Sequence, residues 1–248
     1  FEAPVRIDLP APGAAILAAD LNGDGIPDLV MGQDAGLLVA LGNGDATFQA
    51  PSSIPLGAAP VAIRPADLNA DGIPDLAVAG VSDASFSIGT VSILLGSGDG
   101  SFRPSPEVQA GRLADLAIGD FNNDRNSDLA IASRYYSKYF IALGNGDGTF
   151  GKAGSFDMPE GPLAAASADF NGDGVADLVF GNYYGGKIAI LISKGDGTFQ
   201  RFADILAKGD TYSLAVADLN GDGLPDVAAA NRSSQSLTVA LGRGDGLF

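Results

Sequence analysis

The chain has 248 residues, 46% of them hydrophobic, with 35 glycines, no cysteine, no histidine and a formal charge of −16. That length can bury a core as one domain spanning 1–248. No apolar run approaches the roughly 20 residues of a membrane helix, and so acidic a chain is ill suited to nucleic-acid phosphates, which are gripped by Lys and Arg.

The first segment, residues 1–9, matches the later segment 48–56 and reads as a strand. Four short strands are then expected at about 15–19, 29–32, 37–41 and 48–56, each brief and bounded by turn residues. The first of these is rich in small residues, which suits an innermost strand crowded around an axis. A nine-residue loop joins the first two strands, Asp20-Leu-Asn22-Gly-Asp24-Gly-Ile26-Pro-Asp28. A Gly-Asp turn joins the last two, within Leu41-Gly-Asn-Gly-Asp-Ala-Thr-Phe48, and such a turn between apolar runs signals a hairpin.

The same order recurs four more times. The later loops carry Asp67, Asn69, Asp71 and Asp75; Asp120, Asn122, Asp124 and Asp128; Asp169, Asn171, Asp173 and Asp177; and Asp218, Asn220, Asp222 and Asp226. The hairpin motif closes on Phe48, Phe102, Phe150, Phe199 and Phe248, and counted from Phe1 the periods run from 47 to 54 residues. Four-stranded units of that length are propeller blades. The expected fold is therefore all-β: a five-bladed β-propeller of four-stranded antiparallel blades. Because the last period stops at Phe248, the N-terminal strand 1–9 is expected to close the last blade. The alternative is a five-period excerpt of a larger propeller.

Oxygen-bearing side chains fall at loop positions 1, 3, 5 and 9. With the backbone carbonyl of position 7, at Ile26, Ile73, Asn126, Val175 and Leu224, each loop can wrap one calcium ion. This is not an EF-hand, because position 12 is apolar (Met31, Val78, Ile131, Phe180 and Ala229) where that motif has Glu. Fifteen of the 30 acidic residues lie in these loops, so the negative charge is concentrated where it could meet metal. Without metal, three carboxylates crowded into one turn repel one another.

The loop Asp-x-Asn-x-Asp-Gly-x-x-Asp-Leu followed by Gly-Asp-Gly-Thr-Phe resembles the FG-GAP/VCBS repeat family, to which the calcium-binding blades of integrin α chains belong. The resemblance covers the whole chain. It implies one calcium per loop, up to five, and extracellular or cell-surface placement, here read as bacterial. Arg125 departs from the pattern, standing where the other loops have Gly, and the third site is expected to be the weakest.

Strand connections alternate between the two faces of a propeller. On the face opposite the loops, the connections at 33–35, 81–89, 134–137, 183–186 and 232–235 vary, and binding tends to live on variable loops of a rigid scaffold. Arg134, Tyr135, Tyr136, Asn182, Tyr183, Tyr184 and Arg232 gather there as candidate ligand-binding residues, with Lys138 and Lys187 nearby. Tyr offers a flat apolar face and a hydroxyl, suited to a protein or a carbohydrate. The competing reading is that these tyrosines only cover blade edges. Arg64 and Asp115 are expected to line the central channel. Arg243-Gly-Asp245 reads as a variant of the structural turn, and Asn231-Arg-Ser233 fits a glycosylation sequon.

The function expected is a calcium-stabilised secreted or cell-surface interaction module. It would bind a protein or glycan on the face opposite the calcium loops, bind no nucleic acid, and not insert into a membrane. Catalysis is not expected: without His the commonest general acid–base is missing, and without Cys there is no thiolate nucleophile. The alternatives are a polysaccharide lyase or glycosidase domain, or a structural unit that self-assembles.

Overall fold

The computed structural model describes residues 13–81 and 89–248. The segment 1–9, expected to close the fifth blade, and residues 82–88 of the connection after Val81 lie outside the described residues. Blade one comprises β1 (Gly13–Ala19), β2 (Asp28–Gln33), β3 (Gly36–Ala40) and β4 (Ser52–Pro55). Blade two holds β5 (Ala59–Ala66), β6 (Asp75–Val81), β7 (Gly89–Gly96) and β8 (Phe102–Gln109). Blade three holds β9 (Asp115–Gly119), β10 (Asp128–Ser133), β11 (Lys138–Ala142) and β12 (Gly154–Asp157), with a 3₁₀ turn at Arg134–Tyr136. Blade four holds β13 (Pro162–Ala168), β14 (Asp177–Asn182), β15 (Lys187–Ser193) and β16 (Phe199–Leu206). Blade five holds β17 (Thr211–Ala217), β18 (Asp226–Asn231) and β19 (Ser236–Ala240).

These are five antiparallel sheets, each a meander, and together they form a five-bladed β-propeller. Four sheets have four strands and the fifth has three among the described residues. Each nine-residue loop joins a blade's first two strands, and each Gly-Asp turn follows its third strand, as the sequence predicts. The first strands line the axis. Ile16, Arg64, Asp115, Leu163 and Tyr212, one from each, border a central cavity of about 350 Å³.

The core lies between blades and repeats itself. Each blade offers its successor the second residue of its loop and two residues of its third strand: Leu21, Leu37 and Val39 in blade one, and Phe170, Ile188 and Ile190 in blade four. The successor answers with its own second strand, such as Leu76 and Val78, or Val227 and Ala229. Each aliphatic or aromatic chain buried this way contributes about 1.5–3 kcal/mol. Hydrogen bonds run in the same direction. The turn amides of Gly148, Gly197 and Gly246 donate to the loop carbonyls of Leu68, Phe121 and Phe170 in the preceding blade, at 3.0, 3.0 and 2.9 Å.

Candidate functional site

The five loops are nearly superimposable in their hydrogen bonding. The position-1 carboxylate accepts the amide of position 6, as Gly25 N to Asp20 Oδ2 at 2.8 Å and Arg125 N to Asp120 Oδ2 at 2.8 Å. The position-3 oxygen accepts the amide of position 5, and the position-5 Oδ1 accepts the amide of position 7. Arg125 leaves this pattern intact, yet its φ is 71°, in the left-handed region where its counterparts are glycine at 80–85°. Asn123 (φ 61°) and Ala70 (φ 59°) take the same region at position 4.

Position 9 has a second duty that the sequence reading did not foresee. Asp28, Asp75, Asp128, Asp177 and Asp226 are fully buried. In each, Oδ2 accepts the loop amide of position 2, as Phe121 N to Asp128 at 2.8 Å, and Oδ1 accepts an amide at or just past the end of the third strand, as Gly144 N at 2.8 Å. The carboxylate is thus a clasp between the loop and the end of the third strand. Burial pushes the Asp128 and Asp177 carboxyls up to about 6; the clasp amides oppose this, while the charges of the loop's other aspartates add to it. Among the described residues no three acidic side chains converge into a ready-made cation cage. The oxygens are turned instead onto backbone amides. The donor set itself, carboxylate and amide oxygen only, is that of a hard cation such as calcium.

On the opposite face the structure links most of the candidate residues into one run. The Arg112 guanidinium lies 3.1 Å from the Tyr135 ring centroid. Arg134 sits 4.3 Å from Tyr135 and 4.3 Å from Tyr183. Tyr183 meets Tyr184 edge-on at 4.8 Å and approaches Tyr212 at 6.2 Å. Arg232 donates to the Tyr212 hydroxyl at 2.8 Å. Tyr135, Tyr136, Tyr184 and Tyr212 are exposed. Tyr212 also borders the axial cavity, so the run leads to its mouth. Beside it, Arg201 ties Glu160 (2.8 Å) to Asp204 (2.5 Å), and Lys187 holds Asp204 at 2.9 Å.

Asn182 does not join this surface. It is fully buried, and its amide finds no hydrogen-bond partner among the described residues. Its counterpart Asn231 is satisfied by Thr211 at 3.0 Å and Thr238 at 2.8 Å, where blade four has Pro162 and Ala189. The same burial keeps the sequon's Asn231 side chain inside the fold, while Arg232 and Ser233 are exposed. Arg64 and Asp115 do line the axis, as a 2.6 Å ion pair rather than as separate solvated groups. Asp115 also accepts the Ala165 amide at 3.1 Å, so it joins blades two, three and four. Arg243-Gly-Asp245 forms the expected turn, with the Arg243 amide donating to the Leu247 carbonyl at 3.0 Å.

A family model described as FG-GAP-like repeat matches residues 20–78, 67–131, 120–180 and 169–229. The chain belongs to the FG-GAP-like repeat family. No curated protein matches it. Among solved structures, the FG-GAP-like chain is similar to BBS1N in complex with ARL6DN, at 13% identity and a TM-score of 0.64, covering 94% of this chain and 66% of that one. The chain thus spans just under two thirds of that relative's length. A second BBS1N structure gives 13% identity and 0.54, covering 94% and 82%. A lectin from Agrocybe aegerita that recognises terminal N-acetylglucosamine gives 20% identity and 0.44, covering 94% and 78%. Of the rim, sequence reading missed Arg112 and Tyr212. Both sit near the connections between blades, and a search for variable loops within blades passes over them.

Proposed function

We propose that this FG-GAP-like propeller is a binding module outside the cell or at its surface, stapled by calcium, that offers its tyrosine–arginine rim to a carbohydrate or protein partner. The observation that carries this reading is the unbroken run Arg112–Tyr135–Arg134–Tyr183–Tyr212–Arg232 across blades three to five. Stacked rings present flat apolar faces, and guanidinium and hydroxyl groups supply directed donors at their edges. Mutual stacking holds these side chains in place before a ligand arrives, which lowers the ordering cost of binding. BBS1N, whose fold is similar, was solved with a protein partner.

Calcium would be held by the side-chain oxygens of loop positions 1, 3, 5 and 9 and the carbonyl of position 7. When bound, the ion supplies charge neutralisation and a fixed bend, with no part in catalysis. An ion that binds only the folded chain stabilises it with the logarithm of its concentration.

Binding is favoured over catalysis by the state of the acids beside the rim. Burial works against Asp204, yet hydrogen bonds from Lys187 and Arg201 hold its carboxyl below the ordinary range. A carboxylate so fixed is a poor general acid, and glycoside hydrolysis needs one.

The chain has no Trp, and five of its six Tyr lie on or beside the rim. Intrinsic tyrosine emission therefore reports on this face directly. A glycan and peptide panel screened by emission should yield ligands whose affinity falls about tenfold or more in Arg134→Ala and Tyr183→Ala, a loss of roughly 1.4 kcal/mol. Ligands that bind both variants as tightly as the wild type would remove the rim from consideration.

A further inference from the structure

We propose, on the reading of the rim as the binding face, that it takes an acidic carbohydrate, a chain of uronic-acid residues. The charge of the molecule is divided between its faces. Fifteen of the 30 acids lie in the nine-residue loops and five more in the Gly-Asp turns, all on one face. On the other, the strand connections of blades three to five carry Arg112, Arg134, Lys208 and Arg232 against only Glu160 and Asp210. Both of these acids are held, Glu160 by Arg201 at 2.8 Å and Asp210 by the Ser233 amide at 2.9 Å. Lys138 and Lys187, at the neighbouring strand ends, hold Asp157 and Asp204. Arg134 and Lys208 form no ion pair among the described residues. A chain that is strongly acidic as a whole thus keeps a positive strip at its rim, and a strip of that sign draws an anion.

Those two cations bracket an exposed ring, Tyr184, which is 56% exposed. At the seam of blades three and four, a Cβ on Gly161 would stand 3.2 Å from the Tyr184 ring and 3.3 Å from the Arg134 side chain, so the bare glycine lets both lie against it. On the other side of Tyr184, the Ala207 amide donates to the Gly186 carbonyl at 2.8 Å, and the backbone of Lys208 lies 3.5 Å from where a Gly186 Cβ would stand. Blades three and four are each flanked on both sides in the structure. Arg134, stacked between Tyr135 and Tyr183, spends one donor on the Tyr135 hydroxyl and keeps the rest of a planar fork whose shape matches a carboxylate. An acidic peptide would satisfy the cations but not the ring between them. A uronate residue offers both a stacking face and a carboxylate. Cations recur along blades three to five, which suits a ligand with a carboxylate on every residue.

Titration followed by tyrosine emission, at a fixed calcium concentration, compares a short oligogalacturonate with its methyl ester, which keeps the rings and removes the charges. The acid should bind about tenfold more tightly, and its affinity should fall as salt rises. Lys208→Gln should weaken the acid about threefold and leave the ester unchanged. Tyr184→Ala should weaken both. Equal binding of acid and ester, both lost in Tyr183→Ala, would overturn the preference for charge and leave the rim as the binding face. Binding that none of these variants weakens would overturn the rim and the acidic ligand together. A polyglutamate peptide that binds as tightly as the oligogalacturonate would overturn the carbohydrate class. Binding of neither saccharide would overturn the acidic carbohydrate alone, since the rim is judged by the wider panel.

Discussion

Arg125 shows how one residue can be both legible and incomplete in a sequence. Its charge beside the third loop is evident from the alignment of repeats, but its left-handed backbone is known only from φ = 71°. A residue with a side chain pays roughly 1–2 kcal/mol to sit there. Arg125→Gly should therefore stabilise the chain by about 1 kcal/mol, which in a domain of this size raises Tm by roughly 2–4 °C. Melting in EDTA isolates that backbone effect, and a lower Tm would sink the argument. Removing the cation should also tighten calcium at the third loop. The two buried asparagines make a paired test. Asn231→Ala strands the Thr211 and Thr238 hydroxyls and should cost about 1–3 kcal/mol by denaturant unfolding. Asn182→Ala removes an amide that already lacks a partner and should cost distinctly less. Equal losses would mean that Asn182 has a partner after all, such as bound water.

At the scale of the element, loop and turn were read from short-range spacing, and each formed as expected. The clasp was not read, because Asp28 and its partner Gly42 are 14 residues apart and nothing local pairs them. The fourth strand of blade one, expected at 48–56, forms only over Ser52–Pro55. Phe102 and Phe199 begin full strands, whereas Phe48 and Phe150 make only isolated bridges to Gly42 and Gly144, ahead of Pro51 and Gly151. The clasp gives the loops a pH signature. Asp128 and Asp177 titrate near 6 in the folded chain against 3.8 for a free side chain, so the folded state binds their protons more tightly. Metal-free stability should thus rise as pH falls from 7 through 6, level off near 4, and be lost as pH climbs back. Calcium competes with those protons, so its stabilisation should be largest at pH 7 and fade below 6. Melting at pH 5 and 7.5, with EDTA and with calcium, checks both signs. A Tm in EDTA that is higher at pH 7.5 than at pH 5 would contradict the clasp reading.

At the scale of the molecule, the blade count followed from the period alone, because a repeat that cannot bury its own face must stack on the next. The rim was half legible: the Tyr-Tyr pairs stood out, but which cations stack on them depends on how neighbouring blades meet. The hydrogen bonds from the turns of blades three, four and five to the loops before them, Gly148 to Leu68 and onward, carry a last consequence. The loops of blades two, three and four each brace the turn of the blade that follows, and Ser127 and Ala176 tie two of those loops to the loop behind. The turn bonds therefore have a heading, much as a zipper does. Disorder that starts in the loop of blade two, three or four frees the turn of the blade that follows.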